Sequence, residues 1–72
     1  MNKKNKIKIV VNGRLLTVNI KFSLKNLIEK LKTPINKVAI ELNEEIVDKK
    51  KLNKIFLKNK DKIEIVHFIG GG

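Results

Sequence analysis

The chain has 72 residues and no cysteine, and it carries 17 lysines and arginines against 7 acidic residues. This length supports one small domain, and the absence of cysteine excludes disulfides and thiolate metal sites. The net charge of +10 raises the question of nucleic acid, but Arg14 is the single arginine and the phenylalanines are scattered. Proteins that read the bases of DNA commonly use arginine, and proteins that bind single strands use grouped aromatic side chains that stack on the bases. We therefore expect no nucleic-acid ligand.

The start of the chain, residues 1–6, is basic like the beginning of a secretory signal. A segment of alternating polar and apolar residues follows, where a signal would have an apolar block. No run of the sequence is apolar enough and long enough to cross a bilayer. These features predict a cytoplasmic protein with no membrane contact.

Two strands joined by a tight turn are predicted first. Residues 6–11 and 15–20 alternate between polar and apolar side chains, the period of a half-buried strand. Asn12-Gly13 lies between them, and this pair tolerates the positive φ of a two-residue hairpin turn. The side chains predicted to face the core are Ile7, Ile9, Val11, Leu16, Val18 and Ile20.

A helix is predicted next, over about residues 24–32. Its apolar side chains recur at the spacing of one helical face, which we expect to face the core. Ser23 precedes it as an N-cap, and Pro34 disfavours helix at the residue before it. The apolar positions are Leu24, Leu27, Ile28 and Leu31.

Three strand-like segments follow in the second half. Residues 38–42 predict a strand, Asn43-Glu44 a turn, and residues 45–47 a short return strand. The last strand is predicted over residues 62–67, with Ile63 and Ile65 pointing inward.

A polar stretch separates these strands. Residues 48–54 contain a lysine run and are predicted to form a solvated loop, with Leu52 as its apolar anchor. Residues 55–57 are a brief apolar segment, and residues 58–61 predict a turn.

This order predicts an α+β fold in which one main helix packs across one face of a mixed sheet. Because the helix links the second strand to the third, the layout suits a β-grasp, with the last strand beside the first in the centre of the sheet. We expect a single domain over residues 1–72, with a folded core of about 6–68 and a flexible tail of 69–72.

The C-terminal end is the most unusual stretch, because the last strand leads directly into Gly70, Gly71 and Gly72. Glycine lacks a Cβ, so such an end threads easily through a narrow channel. The terminal carboxylate of Gly72 is the one unusual chemical group there. The alternatives are a frayed terminus or a leftover linker. We favour a tail that enters the active site of another protein.

Two segments resemble the sulfur carriers of thiamine biosynthesis, the ThiS family. They are residues 38–47, VAIELNEEIV, and residues 61–72, DKIEIVHFIGGG. A terminal Gly-Gly is shared with ubiquitin and with the small subunits of molybdopterin synthase, whereas the IVHFIGGG ending is more specific. The family often has Asp-Gly-Asp before the last strand, where this chain has Asn59-Lys60-Asp61, and asparagine can still take a positive φ.

The resemblance implies a ubiquitin-like β-grasp that acts as a protein cosubstrate and not as an enzyme. In the family, an E1-like adenylyltransferase of the ThiF type uses ATP to activate the terminal glycine, here Gly72. Sulfur from a donor such as a cysteine desulfurase gives a thiocarboxylate, which a ThiG-type thiazole synthase consumes. We expect no bound cofactor, and we expect the partners to recognise Gly70, Gly71 and the apolar Phe68 beside the tail.

Three other functions remain open from the sequence. One is a molybdopterin-synthase small subunit, although the His67-Phe68-Ile69 context and the short length favour the thiazole branch. Another is a basic nucleic-acid-binding β domain, and the third is a ubiquitin-like modifier attached to lysines.

Overall fold

The computed structural model of the chain describes residues 5–68. In that span the chain forms five strands, one α-helix and two short 3₁₀ helices. In chain order they are β1 (Lys6–Val11), β2 (Arg14–Asn19), α1 (Leu24–Lys30), the first 3₁₀ helix (Ile35–Lys37), β3 (Val38–Leu42), β4 (Glu45–Ile46), the second 3₁₀ helix (Lys49–Lys54) and β5 (Lys62–His67).

The strands form one mixed sheet in the order β2-β1-β5-β3-β4. β1 and β5 run parallel, and the other neighbours run antiparallel. The last strand therefore lies in the centre beside the first, which confirms the predicted α+β architecture with its mixed sheet and single main helix.

The hairpin of β1 and β2 turns at Asn12 and Gly13, whose φ angles are 48° and 82°. Two successive positive φ values define the turn that matches the twist of a two-stranded ribbon, so the predicted turn is confirmed. β2 ends at Asn19, one residue earlier than predicted. Ile20 consequently lies beyond the strand and is exposed, which corrects its assignment to the core.

α1 begins with the predicted cap at Ser23. Its hydroxyl accepts a hydrogen bond from the Asn26 N–H at 3.0 Å, and the Asn26 side chain accepts one from the Ser23 N–H at 3.2 Å. Leu24, Leu27 and Ile28 are buried as predicted. The reciprocal bonds satisfy two backbone donors that the first turn of a helix leaves without partners.

The helix ends earlier than predicted, at Lys30, because the chain reverses at Lys32 (φ 56°). The Thr33 N–H donates to the Ile28 carbonyl at 3.2 Å, and the Lys32 N–H donates to the Glu29 carbonyl at 3.0 Å. These two bonds form a Schellman motif, in which lysine occupies the position that glycine usually takes. Leu31 is left 39% exposed, so its predicted place in the core is wrong.

The lysine-rich stretch after β4 is also more ordered than the predicted loop, since residues 49–54 form a 3₁₀ helix. The Asp48 carboxylate caps it by accepting a hydrogen bond from the Lys50 N–H at 2.9 Å. Leu52 is buried, which confirms it as the anchor of the segment. A cap on one side and a buried leucine on the other explain why this polar stretch is helical.

The turn before β5 has its positive φ at Lys60 (75°) and not at the neighbouring Asn59. The Asn59 side chain instead accepts a hydrogen bond from the Lys8 N–H at 2.9 Å. The Lys60 N–H donates to the Lys8 carbonyl at 2.7 Å. These bonds to β1 hold Lys60 in the left-handed conformation despite its side chain.

The core lies between the sheet and the layer formed by α1 and the second 3₁₀ helix. The inward faces of β1, β3 and β5 supply half of its buried apolar residues, at the alternate positions of each strand. The buried apolar residues are Ile9, Val11, Val18, Leu24, Leu27, Ile28, Val38, Ile40, Leu52, Leu57, Ile63 and Ile65.

Truncation of the fully buried Leu27 to alanine should lower the free energy of unfolding by about 2–5 kcal/mol, because it leaves a cavity under the sheet. Leu31→Ala is the matched control on the same helix and should cost clearly less, since its side chain already contacts water. Urea denaturation of both variants measures the difference. Equal losses would mean that the core-facing side of α1 is assigned wrongly.

Candidate functional site at the root of the C-terminal tail

The candidate site is the end of β5, from which residues 69–72 continue. β5 pairs with β3 from Leu42↔Ile63 to Val38↔His67. On its other side it pairs with β1 only through Val10↔Lys62 and Val11↔Ile63. β1 therefore ends while β5 continues. The backbone N–H and C=O groups in the second half of β5 need another hydrogen-bonding partner on that side.

The side chain of Asn12 provides this partner. Its Oδ1 accepts a hydrogen bond from the Ile65 N–H at 2.7 Å, and its Nδ2 donates to the Ile65 carbonyl at 3.2 Å. The Asn12 backbone N–H donates to the Ile63 carbonyl at 2.9 Å. A side-chain amide thus replaces one peptide unit of a neighbouring strand, and it extends the pairing of β5 beyond the end of β1.

A second asparagine, Asn43, holds the beginning of β5 from the β3–β4 turn. Its Oδ1 accepts a hydrogen bond from the Lys62 N–H at 2.9 Å, and its backbone N–H donates to the Lys62 carbonyl at 2.7 Å. Its Nδ2 donates to the Asp61 carboxylate at 3.0 Å. Asn12 and Asn43 both have positive φ, so each one forms a turn and also binds β5.

Phe68 is the last described residue and marks the root of the tail. Its N–H donates to the Lys37 carbonyl at 2.9 Å, which continues the antiparallel pairing just past β5. The Lys49 ammonium lies 5.3 Å from the centre of the Phe68 ring, within the range of a cation–π interaction. The side chain is 50% exposed, so Phe68 is a surface residue and does not belong to the core.

The other predicted site residues, Gly70, Gly71 and Gly72, lie outside the described residues. His67, at the end of β5, is exposed as predicted.

Within residues 5–68, no group of three or more histidines, cysteines, aspartates or glutamates is placed to hold a metal ion. In the same part of the chain, no helix has the length and apolar character needed to span a bilayer.

This mixed sheet, with one main helix across one face and its last strand at the centre, defines the class of ubiquitin-like β-grasp proteins. Residues 9–72 match the sequence model of the ThiS family. The chain belongs to that family.

Individual relatives agree with this assignment. The crystal structure of the thiamine biosynthesis protein ThiS from Geobacter metallireducens superposes with a TM-score of 0.80 at 29% identity, over 92% of this chain and 100% of that one. The sulfur carrier protein ThiS from Bacillus subtilis is 49% identical over 35 residues, which cover 49% of this chain and 53% of that one.

A longer relative matches almost the whole of this chain. The thiazole synthase of Paramagnetospirillum magneticum is 38% identical over 66 residues. That match covers 92% of this chain but only 20% of the synthase, so this chain spans about a fifth of that relative's length.

Replacement of Asn12 by glycine keeps the positive φ but removes both side-chain bonds to Ile65, each contributing about 0.5–1.5 kcal/mol. Hydrogen exchange at the Ile65 amide should accelerate, whereas exchange at the Lys62 amide should change much less. The matched variant Asn43→Gly should show the opposite pattern. Exchange measured by NMR distinguishes the two sites, and equal acceleration of both amides in each variant would contradict separate roles for the asparagines.

Proposed function

We propose that this protein is a sulfur carrier in thiamine biosynthesis and that it carries sulfur as a thiocarboxylate on Gly72. The observation that carries the proposal is the match of residues 9–72 to the ThiS family, since this span includes the three C-terminal glycines. The protein serves as a cosubstrate, and the catalytic groups belong to its partners.

The chemistry follows from the groups that the chain offers. A carboxylate is a poor electrophile, so its oxygen attacks the α-phosphate of ATP, releases pyrophosphate and forms an acyl-adenylate. The persulfide of a donor such as a cysteine desulfurase then attacks the acyl carbon, and AMP leaves. A thiol reductant cleaves the S–S bond of the resulting acyl disulfide, which leaves the thiocarboxylate on Gly72 and a disulfide between the reductant and the donor. The chain contains no cysteine, so covalently carried sulfur requires an acyl group such as that of Gly72.

The fold supports this chemistry by holding the root of the tail in place. β5 is paired on both sides, and Asn12 extends this pairing to Ile65. Residues 69–72 can reach at most about 14 Å beyond Phe68, since an extended chain spans about 3.3–3.6 Å per residue. An enzyme that binds Gly72 in its active site must therefore also approach Phe68.

Two partners are proposed for the tail. The first is an E1-like adenylyltransferase of the ThiF type, which would supply the ATP-dependent activation. The second is a ThiG-type thiazole synthase that takes the sulfur. The second is supported by the thiazole synthases of Paramagnetospirillum magneticum and Magnetococcus marinus, which contain a segment 38% and 36% identical to this chain.

The role of Gly72 is tested by sulfur loading. The protein is incubated with its adenylyltransferase, ATP, a persulfide donor and a thiol reductant, and its intact mass is recorded. We expect the wild type to exchange one oxygen for sulfur. A variant that lacks Gly72, or one with an added alanine, should not react, because the addition moves the reacting carbon by about 3.3–3.6 Å.

A variant with an unchanged tail serves as the control for this test. The Phe56→Ala variant leaves the tail intact and should load normally. Loading of the extended variant at the wild-type rate would contradict the role of Gly72, as would an unreactive wild type beside an enzyme that is active on another carrier.

Phe68 is proposed to contact the same partners as the glycines. Because a half-exposed aromatic side chain next to the tail can insert into a pocket of the enzyme, Phe68→Ala should weaken binding to the adenylyltransferase about tenfold or more. The melting temperature should change little. Phe56→Ala is the matched control, since Phe56 is 56% exposed but lies in the segment that bridges to Ser23. Isothermal calorimetry measures both affinities, and equal weakening by both variants would exclude a specific role for Phe68.

A further inference from the structure

A groove separates α1 from the second 3₁₀ helix on the surface of the protein. Its volume is about 440 Å³. Ile28 and Leu52 form an apolar floor, and Ile35 from the first 3₁₀ helix lines one side. Ile28 and Leu52 are buried core residues, whereas Ile35 is 36% exposed. The groove therefore offers an apolar surface that water can reach.

The rim of this groove is strongly basic. Lys25 and Lys32 line it from α1 and its C-terminal turn, and Lys49 and Lys50 line it from the second 3₁₀ helix. Glu29 is the single acidic residue among the described residues of the lining. The rim thus combines four positive charges with one negative charge.

Among the described residues, no carboxylate forms an ion pair with these lysines. Within residues 5–68, the ion pair that forms joins Lys62 to Glu44, which lie outside the groove. Carboxylates of another molecule can therefore pair with the rim lysines of the described domain.

We propose that this groove binds an acidic segment of a partner protein that also carries an apolar side chain. Carboxylates of the segment would pair with the rim lysines, and its apolar side chain would cover Ile28, Ile35 and Leu52. A protein segment fits better than nucleic acid, because the described lining contains neither an arginine to bind phosphate in two places nor an aromatic ring to stack on bases.

The position of the groove relates it to the root of the tail. Lys49 lines the groove, and its ammonium also lies 5.3 Å from the Phe68 ring. A partner that surrounds the tail can therefore reach the groove at the same time. The proposal does not depend on sulfur chemistry, since it concerns only charge and apolar contact on the folded domain.

The test uses a fluorescein-labelled helical peptide in which glutamates surround leucines at i, i+3 and i+4 spacing. Fluorescence anisotropy gives its affinity for the full chain, and NMR chemical shifts locate it. We expect saturable binding that weakens as salt is added, with shifts concentrated at Ile28, Ile35 and Leu52. The same peptide with serines in place of leucines should bind clearly more weakly.

Two matched double variants separate the groove from overall charge. Lys25→Glu with Lys50→Glu reverses two rim charges and should weaken binding about tenfold. Lys8→Glu with Lys58→Glu makes the same change in net charge at exposed positions outside the groove and should have little effect. Circular dichroism verifies that both variants are folded.

Several results would overturn the proposal. Equal weakening by the two double variants would assign binding to net charge alone. Undiminished binding of the serine peptide would exclude the apolar floor, and no binding of the leucine peptide would exclude the site. Tighter binding of a single-stranded oligonucleotide with the same dependence on Lys25 and Lys50 would assign the groove to nucleic acid.

Discussion

The central placement of β5 is the constraint on which the rest of this structure depends. β5 is the last strand in the chain, yet it forms the only connection between the β1–β2 hairpin and β3 within the described sheet. Its parallel pairing with β1 is short, so much of its attachment comes from its antiparallel pairing with β3 and from Asn12 and Asn43. The segment that presents the tail is therefore also the segment that completes the fold.

Much of this architecture could be predicted from local patterns. The alternation of β1 and β5 located Ile9, Ile63 and Ile65 in the core, and the Asn12-Gly13 pair located the hairpin. These features depend on interactions between residues close in sequence, where side-chain period and turn propensity are decisive. The end of α1 was harder to place, because it is set by a Schellman turn at a lysine, which lacks the usual glycine signal.

The second role of the asparagines could not be predicted in the same way. Asn12 was recognised as a turn residue, but its side chain binds Ile65, 53 positions away. Lys60 likewise takes a positive φ that a neighbouring asparagine would adopt at lower cost, because its backbone is bonded to Lys8 of β1. Such positions are decided by tertiary hydrogen bonds, and local propensity does not reveal them.

The charge of the protein surface depends both on how many lysines the chain contains and on where the fold places them. Composition sets the number of lysines in the chain, but it does not determine where they lie. The fold brings together Lys25, Lys32, Lys49 and Lys50 from two separate stretches of the chain around one groove. Residues 69–72 consist of one isoleucine and three glycines, so the tail offers few side-chain groups that would distinguish it from a similar tail. The folded surface beside Phe68 carries more varied side chains than the tail, and the basic groove adjoins it through Lys49.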